Sequence, residues 1–338
     1  MKKLLKRLPL LIIPVLIYVL VVYVNDIFNV FHYDNIRQTS ASGNENYIKT
    51  RYVIENPDKF NAFILGSSRV ANLPKDGLPS ELNGDMLSWY NMTYPMGCPK
   101  DNLETIKTFL KNGVDVKYVV MGIDEISMYR KYEENAGDLI YKQYQEYEAS
   151  PIRFFYSYLK VKPDFKVLKE SLSQTTSNRE ETRLFYDYGV EMPNLDVKCP
   201  EKDAEMVGSL GCGYYGGSES IDAIKELVIL CQENGIELKI FTSPVLESTY
   251  REAVSKGYLD FLSDVAGVTD FYNFSGLNEY TTDMRFYFDA SHYKPYVGLQ
   301  IEKCLFDSKK ESDVAVFGAY ITESNVNELI ARLEDECK

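Results

Sequence analysis

Twice in this chain a stretch with apolar residues at helical spacing runs through Asn-Gly into a short, nearly unbroken apolar run. Residues 102–112 lead through Asn112-Gly113 toward Lys117-Tyr-Val-Val-Met-Gly-Ile123, and residues 220–234 lead through Asn234-Gly235 into Ile236-Glu-Leu-Lys-Ile-Phe-Thr-Ser243. Asn-Gly after a helical pattern reads as a helix C-cap, and a continuous apolar run of this length reads as a strand buried on both faces. Residues 60–66, 86–92 and 268–274 add three further strand candidates, the second of them weaker. Strands alternating with helices of this length predict a parallel, three-layer α/β sheet, which binds ligands at the carboxyl ends of its strands.

A different segment precedes that body. The chain opens Met1-Lys-Lys-Leu-Leu-Lys-Arg7 and then carries no charge across residues 8–24. As a helix this run spans about 25 Å, near the lower limit for crossing a bilayer core, and residues 27–31 can extend it. Lys2, Lys3, Lys6 and Arg7 predict a cytoplasmic N-terminus, which puts the remainder outside the cell membrane. A cleaved signal peptide has a similar charge pattern, but no small-x-small site follows Val24 directly.

The net charge of −13 excludes a nucleic-acid partner on electrostatic grounds. Residues 1–43 hold five Lys/Arg and two Asp/Glu, so the acidic excess lies in the long segment. The organisation expected is a basic tip and transmembrane anchor over 1–31, a linker over 32–50, an α/β domain over 51–305 and a helical tail over 306–338. Within that tail, residues 325–334 form an amphipathic helix. Residues 127–217 interrupt the strand–helix rhythm as a Tyr-rich insertion over the sheet edge or the site, where packing by Tyr is commoner than sugar binding. The six cysteines form no CxxC pair and only two histidines are present, so no metal site is expected. Cys199 and Cys212 bracket a polar stretch, so either a local disulfide or free thiols fit, while Cys231 reads as core.

The first strand ends Ile64-Leu65-Gly66-Ser67-Ser68-Arg69. A serine just past a buried strand, with a helix start behind it, stands where a nucleophile and backbone oxyanion donors belong. Gly-Ser-Ser alone is also a common turn. Near the other end stands Phe288-Asp289-Ala-Ser-His292-Tyr-Lys-Pro295. Asp and His three residues apart at a helix entrance hydrogen-bond within one turn, which orients the imidazole to take a serine proton. The other histidine, His32, lies beside the membrane segment, so a histidine base here is His292. Val70 breaks the Gly-x-Ser-x-Gly elbow of α/β-hydrolases.

Gly66-Ser67-Ser68 and Asp289-x-x-His292 resemble the first and last blocks of the SGNH (GDSL-like) hydrolase superfamily. The resemblance is closest to its membrane-anchored branch, which acts in O-acylation of cell-envelope polymers such as D-alanylated teichoic acids and acetylated alginate. It implies a flavodoxin-like three-layer fold and a catalytic triad of Ser68, His292 and Asp289. Oxyanion donors would be the Ser68 and Gly97 N–H groups, with Asn91 as an alternative. Where the family has Gly-x-Asn-Asp, this chain reads Gly122-Ile-Asp124-Glu125. A carboxylate at Asp124 repels an oxyanion unless protonated or turned away, so Asp124 is expected to be structural. Arg69 offsets charge, holds an acidic substrate or, more simply, makes a surface salt bridge.

The activity implied is a membrane-anchored extracytoplasmic serine O-acyltransferase acting on a surface polysaccharide or teichoic-acid-like polymer. The alternatives are a carbohydrate esterase or deacetylase, and a non-catalytic envelope binding protein on the same fold. The implied partners are the membrane, a cell-surface glycan or polymer, and a membrane acyltransferase, with no cofactor.

Overall fold

The computed structural model describes residues 2–33, 42–173, 186–189, 198–201 and 211–338, with side chains from residue 12 onward. Eight strands are present in this part: β1 (Ala62–Leu65), β2 (Glu81–Leu82), β3 (Asp85–Met86), β4 (Trp89–Asn91), β5 (Tyr118–Ile123), β6 (Glu237–Thr242), β7 (Phe271–Asn273) and β8 (Ala319–Ile321). Six form one sheet in the order β4-β1-β5-β6-β7-β8, and β2 and β3 make a separate antiparallel hairpin. All neighbours in the large sheet run parallel except β8 on β7.

Alternation within the strands shows why both faces must be covered. Phe63 and Leu65 of β1 point into one apolar cluster with Val119 and Met121 of β5. Ala62 and Ile64 point into a second cluster with Val120, Phe241 and Tyr293. Successive strand residues face opposite sides, so two cores require helical cover above and below, compatible with a three-layer α/β domain. The Asn-Gly pairs act as expected. Helix Pro99–Lys111 is capped by Asn112 and helix Ser218–Glu233 by Asn234, with Gly113 and Gly235 at φ +79° and +67°.

Three differences from the sequence reading have physical causes. Residues 86–92 yield only the short β4, because Asp85–Met86 belongs to the separate hairpin. The sheet continues past residue 305: β8 adds an antiparallel edge, and helix Val326–Glu336 buries Val326, Leu329 and Leu333 in the first core. Each such burial contributes roughly 1.5–3 kcal/mol, so this tail is part of the domain. The linker over 32–50 is partly helical, since helix Glu45–Glu55 is capped by Asn44 and buries Tyr47, Ile48 and Val53. Within the insertion Tyr144 and Tyr147 pack as expected, against Tyr47, Phe154 and Phe155. All six cysteines are free, so Cys199 and Cys212 are not joined; Cys231 is buried in the core.

The N-terminal run forms helix Lys2–Asn25. Among the described residues no helix is long and apolar enough to cross a membrane. The uncharged stretch from Ile12 to Asn25 covers about 20 Å, short of a bilayer core. Along that part Val15, Leu16, Ile17 and Leu20 are all more than half exposed. The helix is bolted to the domain at its end. Asn25 exchanges two hydrogen bonds with the Asp164 backbone, and Asp26 accepts the N–H groups of Val30, Phe31 and His32.

Candidate active site

The register that pairs Leu65 with Met121 also decides what lies beyond the strand ends. It carries Gly66-Ser67-Ser68-Arg69 alongside Gly122-Ile123-Asp124-Glu125, at the carboxyl edge of the sheet. The strand order turns back at β1, between β4 and β5, so this edge is the switch-point crevice of an open α/β sheet. Gly66 sits at φ +143°, and a Cβ there would stand 2.7 Å from Val70 Cγ2 and 2.9 Å from the Gly122 carbonyl oxygen. Only glycine lets the chain turn this tightly against β5. The turn continues as a three-residue 3-10 helix, Ser68–Val70, rather than the longer helix the sequence suggests.

Across from it, Tyr287 and Tyr293 form an antiparallel bridge, closed by Phe288 N–H to His292 O at 2.8 Å. Asp289 and His292 therefore belong to a tight hairpin that ends before Pro295, the first residue of helix Pro295–Phe306. Within the hairpin Asp289 Oδ1 accepts the N–H groups of Ser291 and His292 at 2.8 and 2.9 Å. Its Oδ2 lies 2.8 Å from His292 Nδ1. The other imidazole nitrogen, Nε2, lies 2.9 Å from Ser68 Oγ. Residues 224 apart in the chain are thus brought to hydrogen-bond contact. The His292 and Asp289 side chains are about a quarter exposed, so the cluster is open to solvent while its surroundings are buried.

Burial would raise the Asp289 carboxyl, but the Ser291 N–H and the His292 imidazole and N–H outweigh it and hold the group below its ordinary value. The carboxylate is ionised at neutral pH and stabilises a positive charge on His292.

Two lashings hold the serine turn to the histidine hairpin. Asn72 Nδ2 donates to Tyr293 O at 2.9 Å, and the Arg69 guanidinium reaches Ser291 Oγ at 3.5 Å. Arg69 is not a surface residue. Its Nε lies 2.6 Å from Glu125 Oε1, with the two side chains 4% and 1% exposed. Burial lowers the guanidinium, but Glu125 and Asp124 more than offset it. Burial pushes Glu125 up against the pull of Arg69. Asn72, Ser291 and Glu125 carry no signal in the sequence, because each acts through a partner far along the chain.

The remaining candidates separate. Asp124 is buried and turned away from the site: it accepts the Ser67 hydroxyl and the Ser127 N–H and hydroxyl, and caps helix Glu125–Tyr129. Ser67 is thereby committed to the scaffold, which leaves Ser68 as the serine facing the imidazole. Asn91 is also committed, since its amide donates to Ala71 O and its carbonyl accepts from Thr93. Gly97 lies beside the turn, where a Cβ would meet Gly66 O at 2.7 Å, but its N–H already donates to Tyr94 O at 3.1 Å. Ser67 continues the pairing of β1 with β4 as a parallel bridge to Tyr94, which holds the backbone of the serine turn in place. Among those residues no cluster of His, Cys, Asp and Glu suits a metal ion.

In comparisons with known proteins, no family model matches this chain and no curated protein matches it significantly.

Proposed function

We propose that the chain is a membrane-attached serine acyl-transfer enzyme of the SGNH type, acting as an O-acyltransferase on a cell-surface polysaccharide or teichoic-acid-like polymer. The observation that carries this reading is the aligned set of Ser68 Oγ, His292 and Asp289, linked at 2.9 and 2.8 Å and open to solvent.

The chemistry follows from that alignment. Ser68 Oγ attacks the acyl carbonyl while His292 Nε2 takes its proton, and Asp289 stabilises the imidazolium. On this reading the negative charge on the tetrahedral oxygen is stabilised by backbone N–H groups at the serine turn. Collapse breaks the bond to the donor oxygen, which leaves with the proton from His292. An acceptor hydroxyl then gives its proton to His292 and attacks the acyl-serine; the acylated acceptor departs as Ser68 Oγ leaves and regains the proton from His292. Membrane attachment through helix Lys2–Asn25, supported by its exposed Val15, Leu16, Ile17 and Leu20, favours a polymer hydroxyl over water as acceptor. Acyl groups exported across a bilayer arrive beside it, where a membrane acyltransferase partner would deliver them.

The test is fluorophosphonate labelling of the full chain, with Ser68→Ala and His292→Ala as controls. Labelling that both substitutions abolish is expected. An unlabelled, well-folded parent refutes the activated serine. Product analysis with an activated ester and a glycan hydroxyl then separates acyl transfer from hydrolysis.

A further inference from the structure

Outside the site, residues 151–173 form a surface unlike the rest of the chain. They hold Arg153, Lys160, Lys162, Lys166 and Lys169 against Asp164 and Glu170, in a protein whose net charge is −13. The same stretch exposes large apolar side chains: Ile152 at 86%, Phe165 at 83%, Leu172 at 67% and Tyr156 at 58%. It folds as helix Pro151–Tyr158, a short connection and helix Phe165–Ser173. The second helix buries Val167 and Ser171, and the Ser171 hydroxyl donates to Asn25 O at 3.3 Å. Its opposite side therefore presents Phe165, Lys166, Lys169 and Leu172 outward.

The connection between the two helices also runs down the flank of the N-terminal helix. Tyr18 donates its hydroxyl to Val161 O at 3.2 Å, whereas Asn25 bonds the Asp164 backbone. Tyr18 lies about 10 Å nearer the N-terminus than Asn25, and helical side chains lean further that way. The hairpin thus descends along the apolar helix instead of standing off it. Apolar tips flanked by lysines, level with the outer end of an apolar helix, suit the boundary between headgroups and acyl chains.

We infer that residues 151–173 form a second membrane contact, an interfacial wedge whose apolar tips enter the outer acyl boundary while its lysines meet anionic lipid headgroups. This rests on reading Lys2–Asn25 as the membrane helix. Two contacts fix the tilt of the domain, so Ser68 is held at a set height above the bilayer instead of swinging on a tether.

The chain has one tryptophan, Trp89, only 4% exposed, which leaves room for a reporter indole. The full chain, reconstituted alone into nanodiscs of phosphatidylglycerol and phosphatidylcholine with brominated acyl chains, is compared as F165W, I17W and V316W. Val316 lies near β8, the strand at the far edge of the sheet. Loss of emission from F165W and I17W, with V316W unchanged, is expected, and K162E/K166E/K169E on F165W should restore emission. Loss from I17W without loss from F165W overturns the wedge alone. That result is also expected if the face serves a membrane protein instead. No loss from either overturns the membrane helix as well. Equal loss in bilayers of phosphatidylcholine alone overturns the anionic headgroup as the ligand.

Discussion

Replacing Glu125 by Gln keeps the side chain's shape and removes the charge that faces Arg69. The guanidinium remains 4% exposed, with Ser291 Oγ at 3.5 Å and a neutral amide where the carboxylate stood. Stranding one partner of a buried ion pair costs about 3–5 kcal/mol, since the desolvation is no longer offset. Asp124, whose charge also acts on Arg69, offsets part of that, so we expect the lower end, about 3 kcal/mol. R69M/E125L removes both charges and fills the space, and buried pairs replaced this way are often neutral. The double variant should therefore be more stable than Glu125→Gln by about 2 kcal/mol or more. Urea unfolding at pH 8 measures this through the midpoint, provided the slope is unchanged across the set. An unchanged midpoint for Glu125→Gln, or a double variant as costly as the two single changes added, would mean that solvent screens the pair, and would refute the argument from burial.

Asp289→Asn should slow fluorophosphonate labelling about 10³- to 10⁴-fold while the chain stays folded, because the amide no longer stabilises a charged His292. The stabilising effect of Asp289, whose carboxyl is held low, is full above about pH 4 and is lost as pH falls through its folded value, so the parent and Asp289→Asn should converge in urea midpoint in acid. Ser67→Ala should keep its labelling while losing about 1–3 kcal/mol, since Asp124 loses a buried donor; loss of labelling equal to that of Ser68→Ala would move the nucleophile to Ser67. Glu302 is buried with neither oxygen bonded, and burial pushes its carboxyl up to about 9. Its contribution is full below about pH 4.5 and is lost as pH rises toward 9, so Glu302→Gln should lose less stability than the parent between pH 5 and 8.5, by a few kcal/mol. Parallel urea midpoints for the two proteins over that range would count against a neutral buried acid.

What the chain discloses without its fold is local. A continuous apolar run such as 117–123 admits only a strand covered on both faces, and Asn-Gly can end a helix wherever it occurs. These follow from backbone sterics and periodicity, which act over a few residues. Ser68, Asp289 and His292 were legible as candidates for a different reason: histidine is scarce here, and an aspartate three residues from it is within reach in any turn. Their meeting was not legible, and neither was the pairing of Arg69 with Glu125, the diversion of Asp124 to Ser67 and Ser127, or the commitment of Asn91 to Ala71 and Thr93. Those depend on the register of β1 against β5 and on the hairpin at Tyr287–Tyr293, both set by packing between distant segments. The same holds for β8, a three-residue edge strand whose sequence is too short to announce itself and which exists because β7 offers it unpaired backbone groups. Sequence alone determines which residues are able to act; tertiary structure decides which polar groups are already satisfied, and a group left with exposure and an open bond is the one available for chemistry.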